Sequence, residues 1–342
     1  MKRTTIQDIA RETQLSVATV SKIINNVGSG YGQETYDRVM KAVRDMNYIP
    51  NHMARSIVKK KSMRFGIVAM GLENPFCVEL IRSISRYVQQ NDYSVLLFES
   101  SPNPAKQTNK IMECLEMQVD GIFIHVSSKL TYNHQLRRQM SEMLQQRRIP
   151  AVLTERELFE EDDICKVLFN FHKGAYMAVR HLIALGHRKI AAVLDQYDEQ
   201  RYRGYCDALQ EAGIQIDDGL VFRSASLQEE SGQEALEVLL SRCPEISAVF
   251  MGQDIFSMSA YHYCQRVGIR LGQDLSIVGL DDIPTANLWS PPLTTIHQPA
   301  YQMGQKVGEL LIKQVKGESI EQRTYVFEPE LIIRGSACRN HS

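Results

Sequence analysis

Three observations predict an all-α helix-turn-helix headpiece followed by an α/β core of two doubly wound parallel-sheet lobes. The first is a pair of short, capped amphipathic runs between Thr5 and Asn25. The second is a long alternation of continuous apolar runs with amphipathic helical stretches from Arg64 onward. The third is charge. The 342 residues carry a formal net charge of −1, yet residues 1–64 hold twelve Lys and Arg against five Asp and Glu, a net +7, leaving −8 on the remainder. A basic head on an acidic body is the electrostatic footprint of a segment that meets a polyanion. A solvated basic surface has the same charge, so charge alone does not choose.

The head is justified residue by residue. Thr5 precedes Ile6-Gln7-Asp8-Ile9-Ala10, and a hydroxyl cap with an acid in the first turn suits a helix N-terminus. Ile6, Ile9 and Ala10 stand at helical spacing and form one buried stripe. Gln14-Leu15 break the run. Ser16 then caps a second, Val17 to Asn25, with Val20, Ile23 and Ile24 inward and Val17, Ala18, Ser21, Lys22 and Asn25 outward. Two short helices joined this way form a helix-turn-helix whose second member enters the major groove. Ser16, Thr19, Ser21 and Asn25 are short donors for phosphates. Lys22 suits guanine O6 and N7, and Val17 and Ala18 suit thymine methyls. A third helix is predicted from about Gln33 to Met46, with Val39, Met40, Val43 and Met46 inside. The glycine-rich Gly28-Ser29-Gly30-Tyr31-Gly32 has neither a preceding strand nor a following Gly-Lys-Ser/Thr, so it is a connector rather than a phosphate loop.

Residues 49–63 form a hinge and linker. Pro50 suits a first helical turn, but a segment of about eight residues is too short to be helical alone in water. It orders only when DNA or a second subunit supplies partners. Beyond it, apolar strands are predicted at Phe65–Met70, Tyr93–Phe98, Gly121–His125, Ala151–Leu153, Lys189–Leu194, Ala248–Met251 and Ser276–Leu280. Helical stretches lie between them, and that alternation implies parallel sheets covered on both faces, with ligands at the carboxyl ends of the strands.

Other classes are disfavoured. No apolar run is long enough to span a bilayer, and the first residues lack a secretory h-region, so a cytoplasmic protein is expected. The seven cysteines are scattered with no C-x-x-C pair, which favours reduced thiols over disulfides or a zinc site. No metal or cofactor site is expected. No nucleophile triad or P-loop appears, and adjacent strand-end residues such as Asp281 and Asp282 point to opposite faces, so no catalytic residue is assigned. A periplasmic-type small-molecule binding protein without DNA function is the alternative, and the head discriminates against it.

Thr5-Ile6-Gln7-Asp8-Ile9-Ala10, Leu15 to Lys22, and Asn25 resemble the headpiece of LacI/GalR-family regulators. The resemblance continues through Asn74-Pro75-Phe76, Asp120-Gly121-Ile122, His181 to Ala191, Arg201-Tyr202-Arg203-Gly204-Tyr205, Val278 to Asp282 and Pro291 to Pro299. It implies a headpiece at 1–48 and a periplasmic-binding-protein-like core at 64–342. Three crossings between lobes near 162, 292 and 324 would give a first lobe of about 64–162 and 293–323, and a second of about 163–292 and 324–338. Val17, Ala18 and Lys22 would choose operator bases, with Thr5 among the DNA-contacting residues. Ile57 would wedge into the central minor groove, where the family usually has Leu; such wedges kink the duplex.

For the effector, Arg201 matches the arginine that grips hydroxyls or carbonyls, and Asp281 the ligand-binding acid. Phe76, Phe250 and Trp289 are ring-stacking candidates. Phe76 and Phe250 are equally readable as core, and Trp289 as a lobe or subunit surface. The chain departs from the family at Asn170-Phe171, where an acid is usual, and at Gln253, where Asn is usual; losing the acid removes an acceptor suited to sugar hydroxyls. The expected partners are a pseudo-palindromic double-stranded DNA operator, a small-molecule effector such as a sugar or sugar derivative, and a second copy of the chain. The tail from Arg334 to Ser342 lacks a heptad, which disfavours a coiled-coil tetramer.

Overall fold

The capping signals at Thr5 and Ser16 act where the sequence places them. In the computed structural model, which describes residues 4–24, 31–48, 61–131, 133–154, 164–225, 228 and 230–340, helix α1 (Ile6–Thr13) opens on a capping box. The Thr5 hydroxyl accepts from Asp8 N, and the Asp8 carboxylate accepts from Thr5 N at 2.9 Å. Helix α2 (Val17–Ile24) opens on Ser16, whose Oγ accepts from Thr19 N at 3.0 Å. Helix α3 (Gln33–Asp45) completes a small three-helix core in which Ile9, Val20 and Val39 are fully buried, with Ala10, Ile23 and Ala42 beside them. Met40, expected inside α3, is only half-buried. Residues 39, 42, 43 and 46 keep the 3.6-residue stripe that 40 leaves. Asn25 and residues 49–60 of the predicted hinge and linker, Ile57 among them, lie outside the described residues.

The chain divides into two units, Met1–Ser62 and Met63–Ser342. The second unit holds two six-stranded sheets. Its first sheet comprises β1 (Arg64–Ala69), β2 (Ser94–Glu99), β3 (Gly121–His125), β4 (Ala151–Thr154), β5 (Cys165–Phe169) and β11 (Thr324–Phe327), in spatial order β11-β5-β4-β3-β1-β2. All its pairings are parallel. The second sheet comprises β6 (Ile190–Asp195), β7 (Val221–Ser224), β8 (Ala248–Met251), β9 (Ser276–Asp281), β10 (Thr294–His297) and β12 (Glu330–Ile332), ordered β12-β10-β9-β8-β6-β7. It is parallel except for the antiparallel edge strand β12. Inner strands such as β4, β5, β6, β8 and β9 are buried throughout, as helix-covered parallel strands require. Edge strand β2 is largely open to solvent.

The helices that matter to the cleft are α4 (Pro75–Gln89), α5 (Pro104–Glu116), α6 (Ser128–Thr131), α7 (His134–Arg147), α8 (Phe171–Ala184), α9 (Glu199–Glu211), α10 (Ser231–Arg242), α11 (Asp254–Val267) and α12 (Ala300–Lys316). Helix α12 packs on α4 and so returns the chain to the first lobe. The strand pairings place the interlobe crossings at 170, 298–299 and 328–329, each a few residues later than 162, 292 and 324. Strands β5, β10 and β11 are only four or five residues long, and local pattern alone does not say which of two sheets takes a strand. Their registers do: Val152 lies beside Cys165, Thr294 beside Val278, and Thr324 beside Lys166. Two crossings are tied together, since Asn170 N donates to Phe327 O at 3.0 Å and Lys173 Nζ meets Glu328 at 2.7 Å. Among the described residues, no helix is long and apolar enough to cross a membrane.

One glycine fixes the pairing of α8 with α9. A Cβ at Gly204 would stand 2.2 Å from the His172 carbonyl oxygen, a backbone atom that cannot move aside. Gly204→Val is expected to wedge these helices apart and cost about 3 kcal/mol or more, the upper end for overpacking. Denaturant unfolding checks it; wild-type stability would contradict this close packing.

Candidate functional site

The head offers one outward surface. Residues 17, 18, 21 and 22 fall on one side of α2, opposite the buried Val20 and Ile23. Val17 is 41% exposed, and Ala18 and Lys22 are exposed as well. Ser16 Oγ and Thr19 Oγ1 meet at 2.8 Å, and the Thr5 hydroxyl donates to Asp8 at 2.7 Å. Those hydroxyls first shape the two helix starts; the chemistry left facing outward is two small apolar groups and one ammonium. With the positive end of the α2 dipole nearby, that surface suits a polyanion whose base edges are within reach.

The second unit has a cleft between its lobes, lined at the carboxyl ends of strands by Met70, His125, Thr154, Phe169 and Asp281. The strand-end rule placed ligands there. Phe76 enters from the first turn of α4, where Asn74 is the N-cap and its Oδ1 accepts from Phe76 N at 2.9 Å. Arg201 enters from the first turn of α9, capped by Asp198, whose Oδ1 accepts from Arg201 N at 3.2 Å. The other Asp198 oxygen forms an ion pair with the Arg201 guanidinium, with both side chains 1–2% exposed. That guanidinium also lies over the Phe171 ring, 4.0 Å from its centroid. Phe171, the residue found where the family usually has an acid, therefore supports the arginine from below and lines the cleft.

Asp281 closes β9 with φ +136°, and Asp282 follows with φ +57°. Two consecutive non-glycine residues in this region store strain, and strain of this kind gathers where a side chain must be aimed. The aim is different for each. Asp281 accepts from Asn74 Nδ2 across the cleft at 3.1 Å. Asp282 meets His297 Nδ1 at 2.9 Å and accepts from Arg334 at 2.6 Å. Behind them Asp254 is fully buried; its oxygens accept from Thr295 Oγ1 at 2.7 Å and from Ile283 N at 3.0 Å. Burial first, and then the neighbouring Asp281, hold the Asp254 carboxyl well above the ordinary carboxylate range, against the hydrogen bonds from Thr295 and Ile283.

Of the effector candidates, Phe76, Arg201 and Asp281 come together in this cleft. Phe250 does not: it is fully buried inside β8, between β6 and β9, and is core. Trp289 does not either; its ring packs on Tyr261 at 5.1 Å and lines a separate groove with Met258 and Leu271. The sequence reading did not assign Asn74, Cys77, His125, Phe169 or Gln298 to the cleft, although each lines it. The signal for several was position just at or past a strand end.

Known proteins match both the head and the second unit. Residues 5–51 match the model for bacterial regulatory proteins of the lacI family, and residues 179–337 match a periplasmic binding protein-like domain. The chain is 32% identical over 337 residues to the ribose operon repressor of Haemophilus influenzae, covering 97% of this chain and 98% of that protein. It resembles the solved complex of the transcriptional regulator CelR with cellobiose at 26% identity and a TM-score of 0.71, covering 98% of this chain and 100% of that one. The lac repressor dimer bound to operator and the anti-inducer ONPF shares the fold, with a TM-score of 0.83 at 24% identity and coverage of 98% and 100%. On these grounds the chain belongs to the LacI family of bacterial regulatory proteins.

Proposed function

We propose that this protein is a cytoplasmic transcriptional repressor, not an enzyme, that binds a pseudo-palindromic operator as a homodimer with one headpiece per half-site. A small metabolite, a sugar or sugar derivative, sets operator affinity from the cleft. The observation that carries this reading is the exposed Val17, Ala18 and Lys22 surface on a helix whose other side is locked into the head's core. Val17, Ala18 and Lys22 read bases, while Thr5, Ser16 and Thr19 at the helix starts, and Ser21 on the outward side of α2, meet phosphates. Arg201, Asp281 and Phe76 hold the effector. The groove around Trp289, with Leu288 beside it 77% exposed, is the apolar face offered to the second copy. The lac repressor relative is itself a dimer on its operator. An effector changes operator affinity only by favouring one lobe arrangement over another.

Salt tests the DNA half of this reading. If two heads neutralise six or more phosphates, operator affinity falls by roughly 10³-fold between 50 and 200 mM salt. Fluorescence anisotropy with an operator-bearing duplex measures the slope. A flat salt response would exclude a phosphate-tracking head.

A further inference from the structure

The cleft is already bridged by one of the protein's own side chains. Asn74 belongs to the first lobe, as the N-cap of α4, and its Oδ1 is occupied by Phe76 N at 2.9 Å. Its Nδ2 reaches into the second lobe, donating to Asp281 Oδ2 at 3.1 Å and, more weakly, to Gln253 Oε1 at 3.4 Å. The three side chains are nine-tenths or more buried, at 9%, 4% and 7% exposure. A carboxamide fixed at one end by a helix cap and at the other by a buried carboxyl is a strap between lobes, placed on the acid that an effector would use.

We propose that the effector acts by exchange at this position: a hydroxyl or N–H of the effector replaces the Asn74 carboxamide on Asp281 and so releases the first turn of α4 from the second lobe. The inference rests on the cleft being the effector site and deepens it. It makes Asn74 the positioning residue that converts occupancy into lobe movement, and it restricts the effector's chemistry. The entering group must donate, because Asp281 accepts. The effector is also uncharged rather than anionic. Glu73 and Asp281 both line the cleft, and Arg201, among the described residues the arginine that lines it, is paired with Asp198. A phosphate or carboxylate there meets the carboxylates of Glu73 and Asp281, and like charges in a confined site disfavour one another.

Three full-length variants test this. Asn74→Ser keeps a hydroxyl cap on α4 but is too short to reach Asp281. Asn74→Asp keeps the cap and sets two acids together. Asn74→Asp combined with Asp281→Asn rebuilds the bridge with its polarity reversed. Without effector, operator affinity of Asn74→Ser and Asn74→Asp is expected to move toward the value the wild type reaches with effector, and the reversed pair to return toward the effector-free wild type. Loss of a helix cap alone gives no such rescue.

Amide exchange at residues 76–80 and 281–283 should quicken in Asn74→Ser and recover in the reversed pair. Neutral monosaccharides and nucleosides, with their phosphate esters alongside, are the ligand probes. Those that bind should be uncharged, and should bind Asn74→Ser about tenfold tighter, the scale of one hydrogen bond to a charged group no longer in competition. Unchanged operator affinity in Asn74→Ser and Asn74→Asp, or an anionic probe as the preferred ligand, overturns the proposal. An Arg201→Met, Asp198→Asn double variant separates this from failure of the site itself. If it loses effector response while the Asn74 variants behave as wild type, the cleft stands and the exchange does not. If that double variant and Asp281→Asn both respond as wild type, the cleft assignment fails; if the double variant alone does, Arg201 serves only the fold.

Discussion

Arg201→Ala is expected to lose both its effector response and about 3–5 kcal/mol of stability, the usual cost of stripping one partner from a buried ion pair. Asp198 is 1% exposed, so its carboxylate would lose the guanidinium it pairs with in the interior. The Phe171 ring would lose the flat cation that covers it. Loss of response in that variant could therefore follow from damage to α9 rather than from loss of a ligand contact. The charge-neutral pair Arg201→Met with Asp198→Asn separates these. Asn remains a good N-cap for α9, and an apolar side chain of similar length fills the space, so most of the stability should return. The effector response should not. Urea unfolding and operator titration with and without effector measure the two quantities. A stable double variant that still responds would show that Arg201 serves only the fold.

Lys22→Ala is expected to reduce discrimination between operator and mismatched DNA by about 1–3 kcal/mol, the range of one good base contact. The fold should be indifferent, because Lys22 is exposed and the head's core is formed by Ile9, Val20, Ile23 and Val39. Affinity for random DNA should fall far less than affinity for operator, since it rests on phosphate charge shared by many residues. Competition titrations against operator and random duplexes give both numbers. Equal losses on the two would reduce Lys22 to a phosphate contact.

Much of this was legible in the residues because local chemistry and tertiary structure agree. Thr5 with Asp8, and Ser16 with Thr19, are caps in sequence and caps in space. Runs such as Gly121–His125 and Ala248–Met251 are continuous and apolar, and are strands with those same bounds. Sheet membership was not legible. Cys165–Phe169 and Thr294–His297 are both short strands with nothing local to name a sheet, yet one belongs to each lobe, and only long-range pairing decides.

The cleft divided in the same way. Arg201 and Asp281 are assigned by the resemblance of the stretches around them, and both are buried at the cleft. Phe76 and Phe250 are equally readable as ring-stacking or core. One sits in the first turn of α4 against the cleft, and the other inside β8 with both faces covered. Asn74 enters the sequence reading only within Asn74-Pro75-Phe76; the structure makes it a helix cap, and its second partner lies 207 residues away and leaves no trace in local pattern.

Selection of bound duplexes from a random pool by the full-length chain, beside its Lys22→Ala variant, bears most directly on the head as a sequence reader. The wild type should enrich a two-fold-symmetric motif, and the variant should relax that motif at the same position in each half-site. Enrichment of no motif, or of one identical motif by both proteins, would contradict base recognition by this helix.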